Sequence, residues 1–161
     1  MLIEKIKTMK TNEKTSEVLN DLIEINNDRV RGYEKASKET APEDADLRSL
    51  FESMASESRS YVNDLTKHVT ISGNEPADGT TMKGKIYRTW MDVKATFSGK
   101  NRKAILAACE YGEDAAQKAY QQALATDIHL SDDIRQLIAE QQSNLKKSHD
   151  KIKKMRDTQH A

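Results

Sequence analysis

Residues 72–101 read SGNEPADGTTMKGKIYRTWMDVKATFSGKN. The stretch opens on Ser72-Gly-Asn-Glu-Pro76-Ala-Asp-Gly79, dense in turn formers, and closes on Ser98-Gly99-Lys-Asn101. Between them Met82, Ile86, Trp90, Val93 and Phe97 are spaced by four, four, three and four, which is one face of a short helix. That face concentrates the single Trp and one of the two Phe of the chain. Length makes the stretch decisive. About thirty residues can travel the full height of a helical bundle at ~1.5 Å per helical residue, and the long helices on either side then run in the same direction. A local excursion would leave them antiparallel, in a plain up-down-up-down bundle. The full crossover is expected, because packing across the open side of a bundle covers Trp90 and Phe97.

Outward from this segment the chain is helical in pattern. Before it, Leu47, Leu50, Phe51, Met54, Tyr61, Leu65, His68 and Val69 mark a helix ending near Ser72. Upstream of that, Leu19, Leu22, Ile23, Val30 and Tyr33 mark one from Thr15 to about Glu39, with Asn26 inside its stripe. Residues 1–14 are a polar, lysine-bearing lead-in that frays or extends this helix. Thr40-Ala-Pro42-Glu43 has the form of a capping box with Pro in the first turn. After the crossover, with Asn101 as a candidate cap, the third helix shows the small-residue stripe Ile105, Cys109, Gly112, Ala116, Tyr120, Leu124. Ser131-Asp132-Asp133 caps a fourth, Ile134, Leu137, Ile138, Gln141, Leu145, Ser148, Ile152, Met155, which ends near Asp157 amid lysines and arginine. Residues 158–161 are a tail. Tight connections make the one–two and three–four pairs antiparallel neighbours. The expected fold is therefore one all-α domain over 15–157, an up-down-down-up bundle with one long crossover.

Composition narrows the function classes. In 161 residues, 26 Lys+Arg balance 26 Asp+Glu, charged residues make up 32% and apolar residues 36%, with 6 Gly and 2 Pro. Narrow apolar stripes and broad solvated helix faces fit this balance, and a disordered chain does not. A net charge of zero argues against a global nucleic-acid or membrane-surface binder. The basic run Lys146, Lys147, Lys151, Lys153, Lys154, Arg156 reads as the solvated face of the fourth helix. Lys85, Arg88 and Lys94 beside the Trp90 stripe permit a membrane-surface helix, but packing on the bundle is expected. No apolar run approaches the ~20 residues of a membrane span, and no secretory leader is expected at MLIEKIKTMK. The lone Cys109 sits on an apolar stripe without a neighbouring His and reads as a small core residue suited to a reducing cytosol. His68, His129 and His160 show no ligand spacing. Glycine-rich phosphate loops, Gly-x-Ser-x-Gly and Cys-x-x-Cys are absent, so no common catalytic motif marks the chain as an enzyme.

The crossover topology gives the polar residues their interest. Counting from the end that holds the one–two loop, Asp28, Glu57 and Glu113 lie about eleven or twelve residues deep, and Glu110 and His149 about eight. Glu57, three after Met54 and four before Tyr61, falls on its stripe, as does Glu113, four after Cys109 and three before Ala116. Glu110 flanks the stripe one turn above Glu113, His149 lies at the edge of its own, and Asp28 is off-centre, with Asn27 and Glu34 as alternative contributors from the first helix. A buried carboxylate must be paired, hydrogen-bonded, protonated or metal-bound. One reading makes Glu57, Glu110, Glu113, His149 and Asp28 ligands of iron or manganese, since hard oxygens with one imidazole suit those ions. The other makes Glu57, Glu113 and His149 a structural layer paired by Arg59, Arg31, Tyr33 or Tyr61.

Leu19-Asn-Asp-Leu-Ile23, Gly32-Tyr33, the Trp90 helix, Gly112-Glu113-Asp114 and His149-Asp150 resemble a bacterial ferritin-like four-helix-bundle family of unknown function, over about residues 15–157. The resemblance implies a cytoplasmic bacterial protein with a stress association and no established reaction. Di-iron members of the wider superfamily use a Glu from each of two helices and Glu-x-x-His from the other two. Here Ser60 stands where Glu57 would need its histidine, and Lys146 stands three before His149. A degenerate, mononuclear or absent site is expected in place of a full ferroxidase centre. The competing expectations are a metal-binding protein of iron or stress handling and a non-catalytic bundle that recruits itself or a protein partner.

Overall fold

A computed structural model of the chain describes residues 2–79 and 102–158, apart from the side chains of 7–11. Among the described residues four helices form: α1 (Leu2–Glu39), α2 (Ala45–Ile71), α3 (Arg102–Leu124) and α4 (Asp132–Asp157). The expected short helix over Met82–Phe97 and the Asn101 cap lie outside the described residues. Residues 2–14 extend α1 helically, so that α1 is much the longest rod.

The turn between α1 and α2 differs in detail from the expected capping box. The Thr40 hydroxyl donates back to Ala36 O at 2.7 Å, closing α1, and the cap of α2 is Asp44, whose side chain makes no capping bond. Asp44 N–H bonds Ala41 O at 2.9 Å, which places Pro42 at the second position of a tight turn. Its fixed φ suits that position as well as it suits a helix start, so the residue types alone could not separate the two. Ser131 caps α4 as its sequence implies, accepting from Ile134 N at 3.3 Å.

α2 ends in a Schellman motif. Gly73 takes φ +81°, its N–H bonds Thr70 O at 2.9 Å, and Asn74 N–H bonds Val69 O at 3.2 Å. From there the chain climbs α1. Asn74 bonds Ser16 at 3.0 Å, Asn20 grips Glu75 O at 3.1 Å and Ala77 N at 2.8 Å, and Asn27 holds Gly79 O at 2.9 Å. Ser16 to Asn27 is about 16 Å along a helix, and Asn74 to Gly79 is about 17 Å of extended chain, so the segment rises straight. At the far end Arg102 pairs with Asp44 at 3.1 Å and Asp46 at 2.9 Å, which puts the start of α3 beside the start of α2. The end of α2 and the start of α3 therefore lie at opposite ends of the bundle, α2 and α3 are parallel, and the arrangement is up-down-down-up.

Two apolar clusters fill the interior. One, toward the α1–α2 turn, gathers Tyr33, Leu47, Phe51, Met54, Ile105, Leu106, Cys109 and Ile152. The other, toward the α3–α4 turn, gathers Leu19, Ile23, Leu65, Val69, Tyr120, Ile138 and Leu145. Cys109 is a buried core thiol, as its stripe position implies. No described helix is long and apolar enough to cross a membrane.

Candidate functional site

Between the two apolar clusters lies a polar layer, and its centre is Arg29. The residue stands four after Ile25 and four before Tyr33, which directs its side chain inward from α1. Its guanidinium is 1% exposed, and Nε donates to Glu113 Oε1 on α3 at 2.7 Å. Nη1 lies 3.0 Å from Glu57 Oε1 on α2 and donates to Met54 O at 3.1 Å and Ser58 Oγ at 2.7 Å. The Tyr33 hydroxyl donates to the same Glu113 oxygen at 2.5 Å, and the Tyr33 ring lies 5.1 Å beneath the guanidinium carbon. α4 joins through Ser148, whose hydroxyl donates to Glu57 at 3.3 Å.

The hydrogen bonds continue toward the other end in one sense. Ser58, having accepted from Arg29, donates to Asn26 Oδ1 at 2.9 Å. Asn26 donates to Tyr120 at 2.8 Å, and the Tyr120 hydroxyl donates to Gln141 Oε1 at 2.6 Å. Four helices are thus joined by a directed chain headed by a cation. Low dielectric strengthens such a chain and makes any missing member costly.

Charge and burial act on the layer together. Burial alone would pull the Arg29 pKa down, but Glu113, Tyr33 and Glu57 more than offset it and hold the group above its ordinary value. Burial, then the Glu113 carboxylate, push the Tyr33 hydroxyl well above the usual phenol range. Tyr61, beside Glu57, is pushed up to about 12 by burial and by that carboxylate. These phenols are neutral donors at physiological pH, and Arg29 is a permanent charge.

Among the five residues nominated as ligands, Glu57 and Glu113 do converge, with Arg29 between them. Asp28 is fully buried one residue before Arg29 and has partners of its own. The alternatives from α1 go elsewhere: Asn27 holds the crossover, and Glu34 pairs with Arg59 at 2.5 Å on the surface. Arg59, expected as a partner of the layer, is spent there. The cation of the layer is instead Arg29, whose spacing with Ile25 and Tyr33 already put it on the stripe.

Glu110 and His149 form a different group. With Asp114, each offers a ligand atom within 4.8 Å of the others, at the seam of α3 and α4. His149 Nε2 is 2.5 Å from Asp114 Oδ1, and its Nδ1 is 3.1 Å from Asp150 Oδ1. Glu110 is paired with Arg156. Burial pulls the His149 pKa down, but hydrogen bonds to Asp150 and Asp114 outweigh it and leave the imidazole above its ordinary value. Asp114, one turn after Glu110 on α3, is the member that no apolar stripe marks, because its own side chain is exposed.

The model of the family described as "Domain of unknown function (DUF2383)" matches residues 14–126, and the chain belongs to that family. No curated protein matches it. Among solved structures it is similar to a mutant of Mycobacterium smegmatis Dps1, at a TM-score of 0.77 and 16% identity, over 91% of this chain and 97% of that one. That likeness establishes a ferritin-like bundle.

The Arg29 layer and the His149 seam can each be tested by stability. Arg29→Met leaves Glu113 buried without its cation and is expected to destabilise the fold by about 3–5 kcal/mol in urea unfolding, while adding Glu113→Leu recovers much of the loss. An unaltered loss in the double variant would show that the pair does not couple. His149 has a folded pKa above its unfolded value near 6.5, so its stabilisation is complete below that pH and fades as pH rises through the folded value. In chelator-treated protein the melting temperature should therefore fall across that window, and His149→Asn should remove that part of the slope.

Proposed function

We propose that this protein is a non-catalytic ferritin-like bundle, in which the chain's own guanidinium takes the interior place of a metal and the molecule acts through its surface by association. The observation that carries the reading is Arg29, 1% exposed and held at 2.7 Å by Glu113 and 3.0 Å by Glu57. A divalent ion between those carboxylates would have to displace a fully buried charge that also donates to Met54 O and Ser58. The missing Glu-x-x-His on α2 and α4 supports the same conclusion over an iron or manganese seat there.

The surface reading is supported by where apolar side chains are left in water. Among the described residues the large exposed ones are Leu2, Ile3, Ile6 and Ile71, at 73, 69, 43 and 82%. Leu2, Ile3 and Ile6 lie on the stretch of α1 that projects past the end of α2, whose last residue is Ile71. A few isolated apolar residues on a surface are ordinary, but Leu2, Ile3 and Ile6 within the first five residues of one projecting rod are the pattern of an association surface. The partner proposed is a second copy of the chain.

Fe(II) oxidation and bound metal, measured for the chain and for Glu57→Gln, test the interior assignment. Glu57→Gln is expected to change neither, and a loss of either would return the metal to the core and overturn the reading. Sedimentation velocity tests the surface. The chain is expected to sediment as more than one copy and Ile3→Glu with Ile6→Glu as a single copy; a monomeric parent protein would remove the self-association.

A further inference from the structure

We infer that Glu110, Asp114 and His149 form a mononuclear divalent transition-metal site at the seam of α3 and α4, independent of the Arg29 layer and beyond the association role proposed above. The donor set is two carboxylates one turn apart on one helix and an imidazole from the antiparallel neighbour, with ligand atoms within 4.8 Å of one another. Two hard oxygens with one nitrogen, and further positions open to solvent, suit Mn(II) or Fe(II).

Two features beyond the clustering point to a cation. The first is the orientation of His149. Asp150 accepts from Nδ1 at 3.1 Å, which fixes the ring, and Nε2 shares a proton with Asp114 at 2.5 Å, the proton that an entering metal ion releases to solvent as it takes Nε2 and the Asp114 oxygen as ligands. A carboxylate behind the imidazole is the usual outer support of a metal-bound histidine. Lys146 anchors Asp150 in turn at 3.1 Å. The second is Glu110, only 9% exposed, whose charge requires a cation on its open side. Arg156, from the last turns of α4, supplies one. Its side chain is about one-third exposed and is shared with Asp157 at 2.7 Å, so it can withdraw to solvent when an ion enters. Arg29 has no such exit, which separates the two sites physically: a locked cation in the core and a displaceable one at the seam.

Mn(II) alone, titrated into chelator-treated protein and followed by the loss of the free-ion electron paramagnetic resonance signal, tests the site. One Mn(II) per chain is expected, with saturable binding abolished by Asp114→Asn and by His149→Ala. Asp150→Asn should weaken it by about tenfold as an outer-support change, and Arg156→Ala should tighten it by removing the competing cation. The Asp114 side chain is 62% exposed, so Asp114→Asn retains the fold, which circular dichroism melting would verify. No saturable uptake, or uptake that survives both ligand variants, overturns the proposal. Uptake lost in Glu57→Gln but kept in Asp114→Asn would place the ion in the core and overturn it too.

Discussion

A guanidinium buried at the middle of a helical bundle is the constraint to which the rest of this structure conforms. Taking such a charge out of water is costly, and the cost is offset only if carboxylates and hydrogen-bond acceptors meet it in good geometry. Arg29 obtains Glu113 from α3, Glu57 and Ser58 from α2, and the Met54 carbonyl. Each partner fixes the axial position of a helix relative to α1. A shift of one helix by a turn would leave both an unpaired cation and an unpaired anion in low dielectric. An apolar stripe tolerates such slips far better, since one Leu can replace another. The polar layer thus sets the register that the two apolar clusters on either side then fill.

The same constraint governs where chemistry is possible. α2 and α4 touch least of the neighbouring helices, and a groove of about 270 Å³ lined by Leu50, Met54, Asn144, Lys147 and Lys151 reaches Glu57 between them. Solvent can approach that carboxylate, but Arg29 lies behind it. The α3–α4 seam differs in kind: its carboxylates and imidazole face a cation with its own route to water. Ligand-capable residues on adjacent turns of α3 therefore have opposite roles. Glu113 turns inward to the locked charge, while Glu110 and Asp114 turn to the seam.

Much of the fold was legible because helical periodicity and turn chemistry are local. The stripes of α2, α3 and α4, the Ser131 cap and the break at Gly73 all follow from residue type and spacing. Thr40-Ala-Pro42-Glu43 shows the limit of that logic, since a proline with fixed φ serves a tight turn as readily as a first helical turn. In the site, the convergence of Glu57 and Glu113 followed from counting turns along parallel helices. The partner did not, because an arginine on a stripe is ordinarily a snorkelling surface residue whose head escapes to water. Only the depth of α1, flanked by α2, α3 and the rising chain at Glu75–Gly79, removes that escape.

By itself the sequence determined the rods, their stops and the presence of acids and a histidine at matching heights, because these depend on periodicity and on a crossover long enough to reverse the usual alternation. Which acid meets which cation was decided by the tertiary structure alone. Rotation of each helix about its axis, set by packing against two neighbours at once, carried Glu113 to Arg29 and Asp114 to His149. Adjacent residues on one helix point about 100° apart, so a small rotation exchanges an inward ion pair for an outward carboxylate–imidazole pair, and no spacing rule along a single chain records that angle.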